Sequence, residues 1–298
     1  MLQTKHSAKR LLTLVLVCAC VFVISGVTAA WYHNDWPYRK PITIDHTQID
    51  ADLVDFPVLV VLDADAELAA SAQADGDDIL FADASDVQLD HEIEYFDETT
   101  GQLAAWVRIP LLSSTADTVL YLYYGNGTAD NQESPQAVWG SNYVMVQHLD
   151  ETSGDHLDST AYNNHGTTVV VTDQGAAGKM DGADELDGVD DHVRVPDAAS
   201  LQFGEGSLTA EAWIYPQAVP DAGGARIVNN RGTGAGGSFA GYQLKIADDA
   251  GQWHFKDTSI DDGGGTFMAY EGTPRYAYIQ WYHLAMVYDA DNQLLLFV

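Results

Sequence analysis

The first chemistry this sequence offers is oxygen ligation. Asp181, Asp184, Glu185, Asp187, Asp190 and Asp191 fall within eleven positions, interrupted by Gly182 and Gly188. Calcium takes about six to eight oxygens on a flexible loop, and glycine turns can add backbone carbonyls to the set. The run is not an EF-hand, because no Glu closes a loop of the required length. Asp187, Asp190 and Asp191 are the expected metal ligands, with Asp158 supplied by an earlier polar loop. The competing reading is a solvated acidic hairpin. A second chemistry is stacking on sugar rings, an apolar contact that tolerates many glycans. Trp213, Tyr215, Tyr242 and Trp253 are the expected ligand-binding residues, with Tyr270 a further candidate. Against them stands the dominance of aromatic rings in sandwich interiors. A third chemistry is carboxylate catalysis. Glu92 and Glu94 lie two apart on a strand and share a face. Paired carboxylates can hydrolyse glycosides, but the solvated face of a sheet is the commoner place for them.

Other sites are excluded by pattern. No nucleophile elbow is present. The histidines are scattered, with no His-x-x-x-His or His-Glu-x-x-His pair, which argues against zinc. His148 and His283 alternate with apolar neighbours and read as core-edge residues. Gly232–Gly237 lacks the Gly-Lys-Ser/Thr ending of a phosphate loop. No catalytic residue is assigned.

Strands must position these groups. Leu208, Ala210, Ala212 and Ile214 alternate along one face, with Trp213 and Tyr215 on the other. Apolar residues on both faces predict a central strand of a sandwich. Val193 and Val195 oppose His192 and Arg194 in a shorter strand. Thr167–Thr172 is β-branched and predicts a strand. Tyr143–Leu149 reads as the first strand of the second domain. In the first domain Ile42 and Ile44 alternate with polar neighbours, and Phe56–Leu62 is the apolar run of a strand covered on both sides. His91–Phe96, Leu103–Ile109 and Thr118–Tyr124 add strands, and Glu67–Gln73 is the only short helix expected there. Ala129–Val138, polar and carrying Pro135, reads as a linker. The fold class is therefore all-β, two β-sandwich domains over 31–138 and 139–298.

The chain has 298 residues, with 13 Lys+Arg against 44 Asp+Glu and a formal charge of −31. Bulk electrostatics then exclude nucleic acid and anionic lipid as partners. Residues 1–30 read as a secretory signal: Lys5, Lys9 and Arg10, an apolar core over Leu11–Val27, and small residues up to Ala30. An uncleaved anchor is the alternative. Export places the protein outside the cell, in the periplasm or on the cell surface. Cys18 and Cys20 both lie in that segment, so once it is removed the chain has no thiol for disulfides, Cys–zinc sites or nucleophilic catalysis. The sequence ends in the apolar run Leu294–Val298, where a sandwich should continue, so a longer protein is expected.

Two resemblances follow from these phrases. The turn at Asp187–Asp191, the phrase His192–Val195, the strand ending Ala212-Trp213-Ile214 and the later Trp281–Tyr288 resemble the LamG-like, concanavalin A-like jelly-roll family. Loops of that family often carry calcium. Trp36–Lys40, Phe56–Val60, Asp75–Phe81, His91–Glu94, Ala105–Val107 and Tyr123–Asn126 resemble the domain-of-unknown-function family 2341. That family implies an exported bacterial or archaeal protein and has no established activity. Laminarinase-like glycosidases carry Glu-x-Asp-x-x-Glu on one strand of a related jelly roll. Glu92–Asp97 departs from it at the second and third acids and lies in the other domain. One sandwich hosts lectins, adhesins and enzymes. The expected function is non-catalytic, calcium-assisted binding of a glycan or an envelope protein. The rivals are a polysaccharide-active enzyme or its accessory module, and an envelope sensor feeding a proton-channel complex.

Overall fold

The computed structural model describes residues 31–202, 206–218, 224–231, 241–256, 258–261, 267–270, 274–289 and 293–298. The expected signal over 1–30, the Gly232–Gly237 loop, most of the Asp261–Gly265 turn and the side chain of Tyr270 lie outside the described residues. The chain divides into two compact units. One runs to Tyr143 and includes Ser159–Ala161; the other holds Val144–Asp158 and Tyr162–Val298. Both are built from antiparallel strands, as the alternation requires. No described helix is long and apolar enough to cross a membrane.

In the first unit the strands are β1 (Tyr38–Ile44), β2 (Leu53–Leu62), β3 (Leu80–Asp83), β4 (Gln88–Leu89), β5 (His91–Asp97), β6 (Gln102–Leu112) and β7 (Thr118–Tyr124). They form two sheets, ordered β1-β7-β3-β4 and β2-β6-β5. Ile44, Phe81, Leu120 and Leu122 from one sheet meet Val58, Val60, Leu103 and Val107 from the other in a single core. Each such side chain, fully buried, contributes about 1.5–3 kcal/mol. The short helix α1 (Ala66–Ser71) begins where Asp65 accepts the amides of Glu67 and Leu68. The turn before β6 needs glycine: Gly101 has φ +68°, and a Cβ there would sit 2.0 Å from the Asp65 carbonyl oxygen.

The expected linker is partly docked. Helix α2 (Pro135–Val138) buries Val138 completely, and the Ser134 amide donates to the His91 carbonyl at 2.9 Å. The first unit also runs past the expected boundary at residue 139. Trp139 lies 5.1 Å from the Trp106 ring and donates its indole N–H to Glu92 Oε2 at 2.6 Å.

The second unit carries β8 (Thr168–Val170), β9 (Asp173–Ala177), β10 (Gly182–Glu185), β11 (His192–Arg194), β12 (Leu208–Ile214), β13 (Ala225–Asn229), β14 (Gly241–Asp249), β15 (Gln252–Phe255), β16 (Thr258–Asp261), β17 (Phe267–Tyr270), β18 (Tyr282–Asp289) and β19 (Gln293–Phe297). A five-stranded sheet, β13-β14-β16-β17 with β15 also on β14, packs on a three-stranded sheet, β12-β18-β19. Tyr242, Leu244, Ile246, Trp253 and Phe255 from the first layer meet Leu284, Met286 and Tyr288 from the second. Two ribbons, β9 with β10 and β8 with β11, complete the described strands.

Two expectations fail here. Tyr143–Leu149 is irregular, not a strand. Its backbone is held by side chains instead: Asp158 accepts the Val146 amide at 2.9 Å, and Asn164 Nδ2 donates to the Val144 carbonyl at 2.6 Å. β12 is terminal in its sheet among the described residues, not central. On its second apolar face Trp213 is half-buried and Tyr215 is 39% exposed.

Candidate functional site

β12 sorts its side chains by alternation. Leu208, Ala210 and Ile214 pack on the core, while Glu211, Trp213 and Tyr215 point away from it. Opposite, Leu284 and Met286 of β18 face the core and His283 faces outward. Trp213 and His283 are direct cross-strand partners, with ring centroids 5.1 Å apart. One pleat further on, about 7 Å along the strand, Tyr215 meets Trp281 at 5.4 Å. Trp213 and Trp281 are half-buried and Tyr215 is 39% exposed, so the row is open to solvent. Lys179, from the turn between β9 and β10, places its Nζ 5.5 Å from the Trp213 ring centroid. His283 Nε2 lies 3.7 Å from Glu211 Oε2. Burial holds the His283 imidazole below its ordinary value, with the Glu211 charge pulling the other way. The result is a flat aromatic surface edged by one ammonium, one carboxylate and one mostly neutral imidazole. It can stack on rings and donate or accept hydrogen bonds at its margin.

The other two expected ligand aromatics are elsewhere. Tyr242 is 7% exposed and Trp253 fully buried, both within the inter-sheet core. Trp253 stacks on Tyr276 at 4.5 Å and donates its indole N–H to the Ala277 carbonyl at 3.1 Å. Ligand contact by these two is therefore corrected to a packing role. The reason is register: Tyr242 and Trp253 fall on the core-facing positions of β14 and β15, whereas Trp213 falls on the outer positions of β12. Residue type alone does not distinguish them.

The expected metal ligands separate into two groups. Asp187, Asp190 and Asp191 offer oxygens within 4.8 Å of one another. Asp187 Oδ1 already accepts the amides of Val189 at 2.8 Å, Asp190 at 3.3 Å and Asp191 at 3.4 Å. These bonds, Val189 foremost, hold its carboxyl below the ordinary value. Asp191 Oδ2 accepts the Asp187 amide and the Thr172 hydroxyl. Such an all-oxygen set suits a hard cation such as calcium. Asp158 is not in this group. It is 4% exposed, and its two oxygens accept the Val146 and Asn164 amides. It pins the backbone of its own loop.

Glu92 and Glu94 do share the outer face of their sheet. A bulge between Ile93 and Tyr95 returns Ile93 and Phe96 to the core and leaves both acids outside it. Yet Glu92 is 6% exposed, against the solvated role expected for it. Its oxygens accept the Trp139 indole at 2.6 Å and the Ser159 hydroxyl at 2.5 Å, while Glu94 accepts the Trp106 indole at 2.6 Å. Each carboxylate is engaged in holding an aromatic ring.

One polar cluster was missed by the sequence reading. His156 is fully buried, with Nδ1 2.6 Å from Glu151 Oε2 and Nε2 2.8 Å from Asp184 Oδ2. Burial is the main force on both acids and disfavours their charge. Asp184 is accordingly raised above its ordinary value. Glu151 is nonetheless held below its own, because the Leu157 amide and His156 donate to it. The only sequence signal is a His with acids near it, which is too common to single out.

With this geometry in hand, comparison with known families is informative. Residues 187–298 match the concanavalin A-like lectin/glucanases superfamily. Residues 75–165 match the family described as Domain of unknown function (DUF2341). The two stand in the order implied by the sequence phrases. The first covers every strand of the two packed sheets and the Asp187 turn. No curated protein and no solved structure matches.

Proposed function

We propose that this chain is a non-catalytic binding protein of the exterior or envelope, whose concanavalin A-like half engages a glycan. The observation that carries the reading is the outward aromatic row Trp213–Tyr215–Trp281 beside His283 on β12 and β18. Sugar rings stack on such a row, and Lys179, Glu211 and His283 supply hydrogen bonds to hydroxyl groups. Calcium belongs to the same proposal, with Asp187, Asp190 and Asp191 as its protein ligands. Bound there, the ion would stiffen the turn between β10 and β11 and could bridge to a ligand hydroxyl or carboxylate. The family match is compatible with carbohydrate or protein binding. Against a polysaccharide-active enzyme stands the engagement of Glu92 and Glu94 by indole donors.

The test is a glycan array probed with the chain and its Trp213→Ala variant, with soluble sugars incubated in parallel to detect cleavage. Binding without turnover, weakened in the variant, is the expected result. Turnover abolished by Glu92→Gln would reinstate catalysis, and capture of proteins only would transfer the face to a protein ligand.

A further inference from the structure

Ile279 combines two features that a folded chain normally avoids. It is a large aliphatic side chain, yet it is 70% exposed. It also holds φ +64°, in the left-handed region. A β-branched residue is an outlier there, because its side chain crowds the neighbouring carbonyl oxygen. Of the non-glycine residues with positive φ among the described residues, Ile279 alone is β-branched. With the side chain in solvent, its burial does not offset the strain. Glycine or asparagine would hold the same backbone at lower cost.

The surrounding contacts fix that conformation. Ile279 donates its amide to the Pro216 carbonyl at 2.9 Å, one residue beyond Tyr215. Just before it, the Ala277 carbonyl accepts the buried Trp253 indole at 3.1 Å and the Tyr282 hydroxyl at 2.9 Å. The Tyr278 hydroxyl donates to Asp248 Oδ2 at 2.5 Å. A strained residue persists when its neighbours over-determine it in this way, and such residues gather at ligand sites. This one sits at the end of the aromatic row. It precedes Trp281 by two residues, so the two Cα atoms are about 7 Å apart at most, and the Trp281 ring meets Tyr215 at 5.4 Å. The row therefore has two unlike ends. Lys179 and His283 flank Trp213, with Glu211 beside His283. At the other end Tyr215, Ile279, Gln280 and Trp281 carry no charge.

We propose that Ile279 is a specificity-determining contact of this face, and that the ligand it selects is a sugar bearing a methyl group. The methyl packs on Ile279 while the sugar ring lies on Tyr215 and Trp281 and its hydroxyls turn toward Lys179, Glu211 and His283. A hydroxymethyl group in the same place would lose its water to an aliphatic side chain that offers no hydrogen bond. A methyl group removes apolar surface from both partners. The carbon of a 6-deoxy sugar and the methyl of an acetyl group both supply this chemistry. The inference rests on the glycan reading of the aromatic row and adds which sugars that row prefers.

The experiment is saturation-transfer NMR and calorimetric titration of the full chain with two matched pairs, L-fucose against L-galactose and N-acetylglucosamine against glucose. The methyl-bearing member of one pair should bind about fourfold tighter, as burial of one aliphatic carbon gives, and its methyl protons should saturate most strongly. The pair that shows the preference tells a 6-deoxy carbon from an acetyl group. Ile279→Asn should abolish the preference and, by relieving strain, raise the melting transition of the second unit by about 2–4 °C. A residue retained for packing would do the reverse and lower it. Trp213→Ala should weaken both members of a pair alike. Ile279→Gly repeats the test should the asparagine variant lose its near-ultraviolet circular dichroism. Equal binding within both pairs, a preference that survives in the folded variants, or a lowered transition overturns this inference and leaves the glycan reading standing. Indifference to all four sugars at millimolar concentration, in a chain that binds on the glycan array, does the same. A chain that binds no glycan at all removes both.

Discussion

Trp213 and Trp253 have the same side chain, one on the outer face of the sandwich and one in its core, and truncating each separates ligand binding from packing. Trp253 is fully buried, stacked on Tyr276, edge-on to Tyr282 at 5.0 Å, and hydrogen-bonded to the Ala277 carbonyl. Trp253→Ala removes the largest fully buried side chain and leaves that carbonyl without its indole donor. Such a truncation costs about 3–5 kcal/mol, against a whole-domain stability of about 5–15 kcal/mol. At about 2–4 °C per kcal/mol for a domain of this size, the melting transition of the second unit should fall by about 6–20 °C. Trp213→Ala removes a half-buried ring from the surface and should cost about 1 kcal/mol, a shift of a few degrees at most. Scanning calorimetry reads both shifts, and titration with the best array glycan reads affinity. Trp253→Ala should keep its affinity wherever the domain is still folded, while Trp213→Ala should lose about tenfold or more. A Trp253→Ala protein with an unmoved transition and abolished binding would refute the register argument.

Three further outcomes follow from the described geometry. His91 is fully buried 5.3 Å from the Phe81 ring, and burial pushes its imidazole below the ordinary value. A depressed histidine favours folding above its unfolded value of about 6.5 and loses that contribution as pH falls. Urea midpoints of the first unit should therefore drop between pH 7 and pH 5, and His91→Phe should flatten that slope. Calcium at about one hundred times its dissociation constant should stabilise the second unit by about 2.7 kcal/mol. Asp187→Asn/Asp190→Asn should abolish the rise in transition temperature, and no rise in the parent at about 10 mM, beyond the usual extracellular range, would remove calcium from the proposal. His156→Phe should cost about 3–5 kcal/mol, because it strands the buried carboxylate of Asp184, and the partly exposed one of Glu151, without the partner they share. Chemical denaturation reads this directly, and a near-neutral result would mean that the cluster relaxes into water.

The all-β class and the two-part order were legible because strand alternation and turn residues are local signals. Leu208–Ile214 announced which of its side chains face inward, and the structure places Leu208, Ala210 and Ile214 on the core. What alternation leaves open is which neighbour a strand acquires. Trp213 and Tyr215 on the outer face of β12 read as a second buried face, and only the pairing β12-β18-β19 makes β12 terminal among the described residues. Tyr242 and Trp253 were grouped with them by residue type, since their register relative to the core depends on strands far off in the sequence. Tyr143–Leu149 looked like a strand from its own residues. Its backbone is instead satisfied by Asp158 and Asn164, through contacts that no periodicity encodes. The pairing of Trp213 with His283 is equally non-local, because the two become neighbours only through the register of β12 with β18.

The same contacts change the meaning of the acidic composition. Read as a total, −31 points to metal binding or a solvated surface. In the structure many of the aspartates instead act as turn-formers. Asp45 accepts the Thr47 amide, Asp83 those of Ser85 and Val87, Asp97 that of Thr99, and Asp187 that of Val189. Asp65 caps α1, and Asp158 holds two loop amides. A carboxylate two residues ahead of an amide mimics a backbone turn and competes with regular structure, which suits a chain that must reverse direction between many short strands. Asp45, Asp97 and Asp187 are held below their ordinary values, chiefly by these bonds to neighbouring hydroxyls and amides. Their contribution to stability is thus present above about pH 4 and fades as pH falls through their lowered values. It follows that an acidic cluster in this fold is weak evidence for a metal. At the Asp187 turn an ion would have to share Oδ1 with three amides or use the remaining oxygens, so calcium and the turn's own hydrogen bonds draw on the same carboxylates.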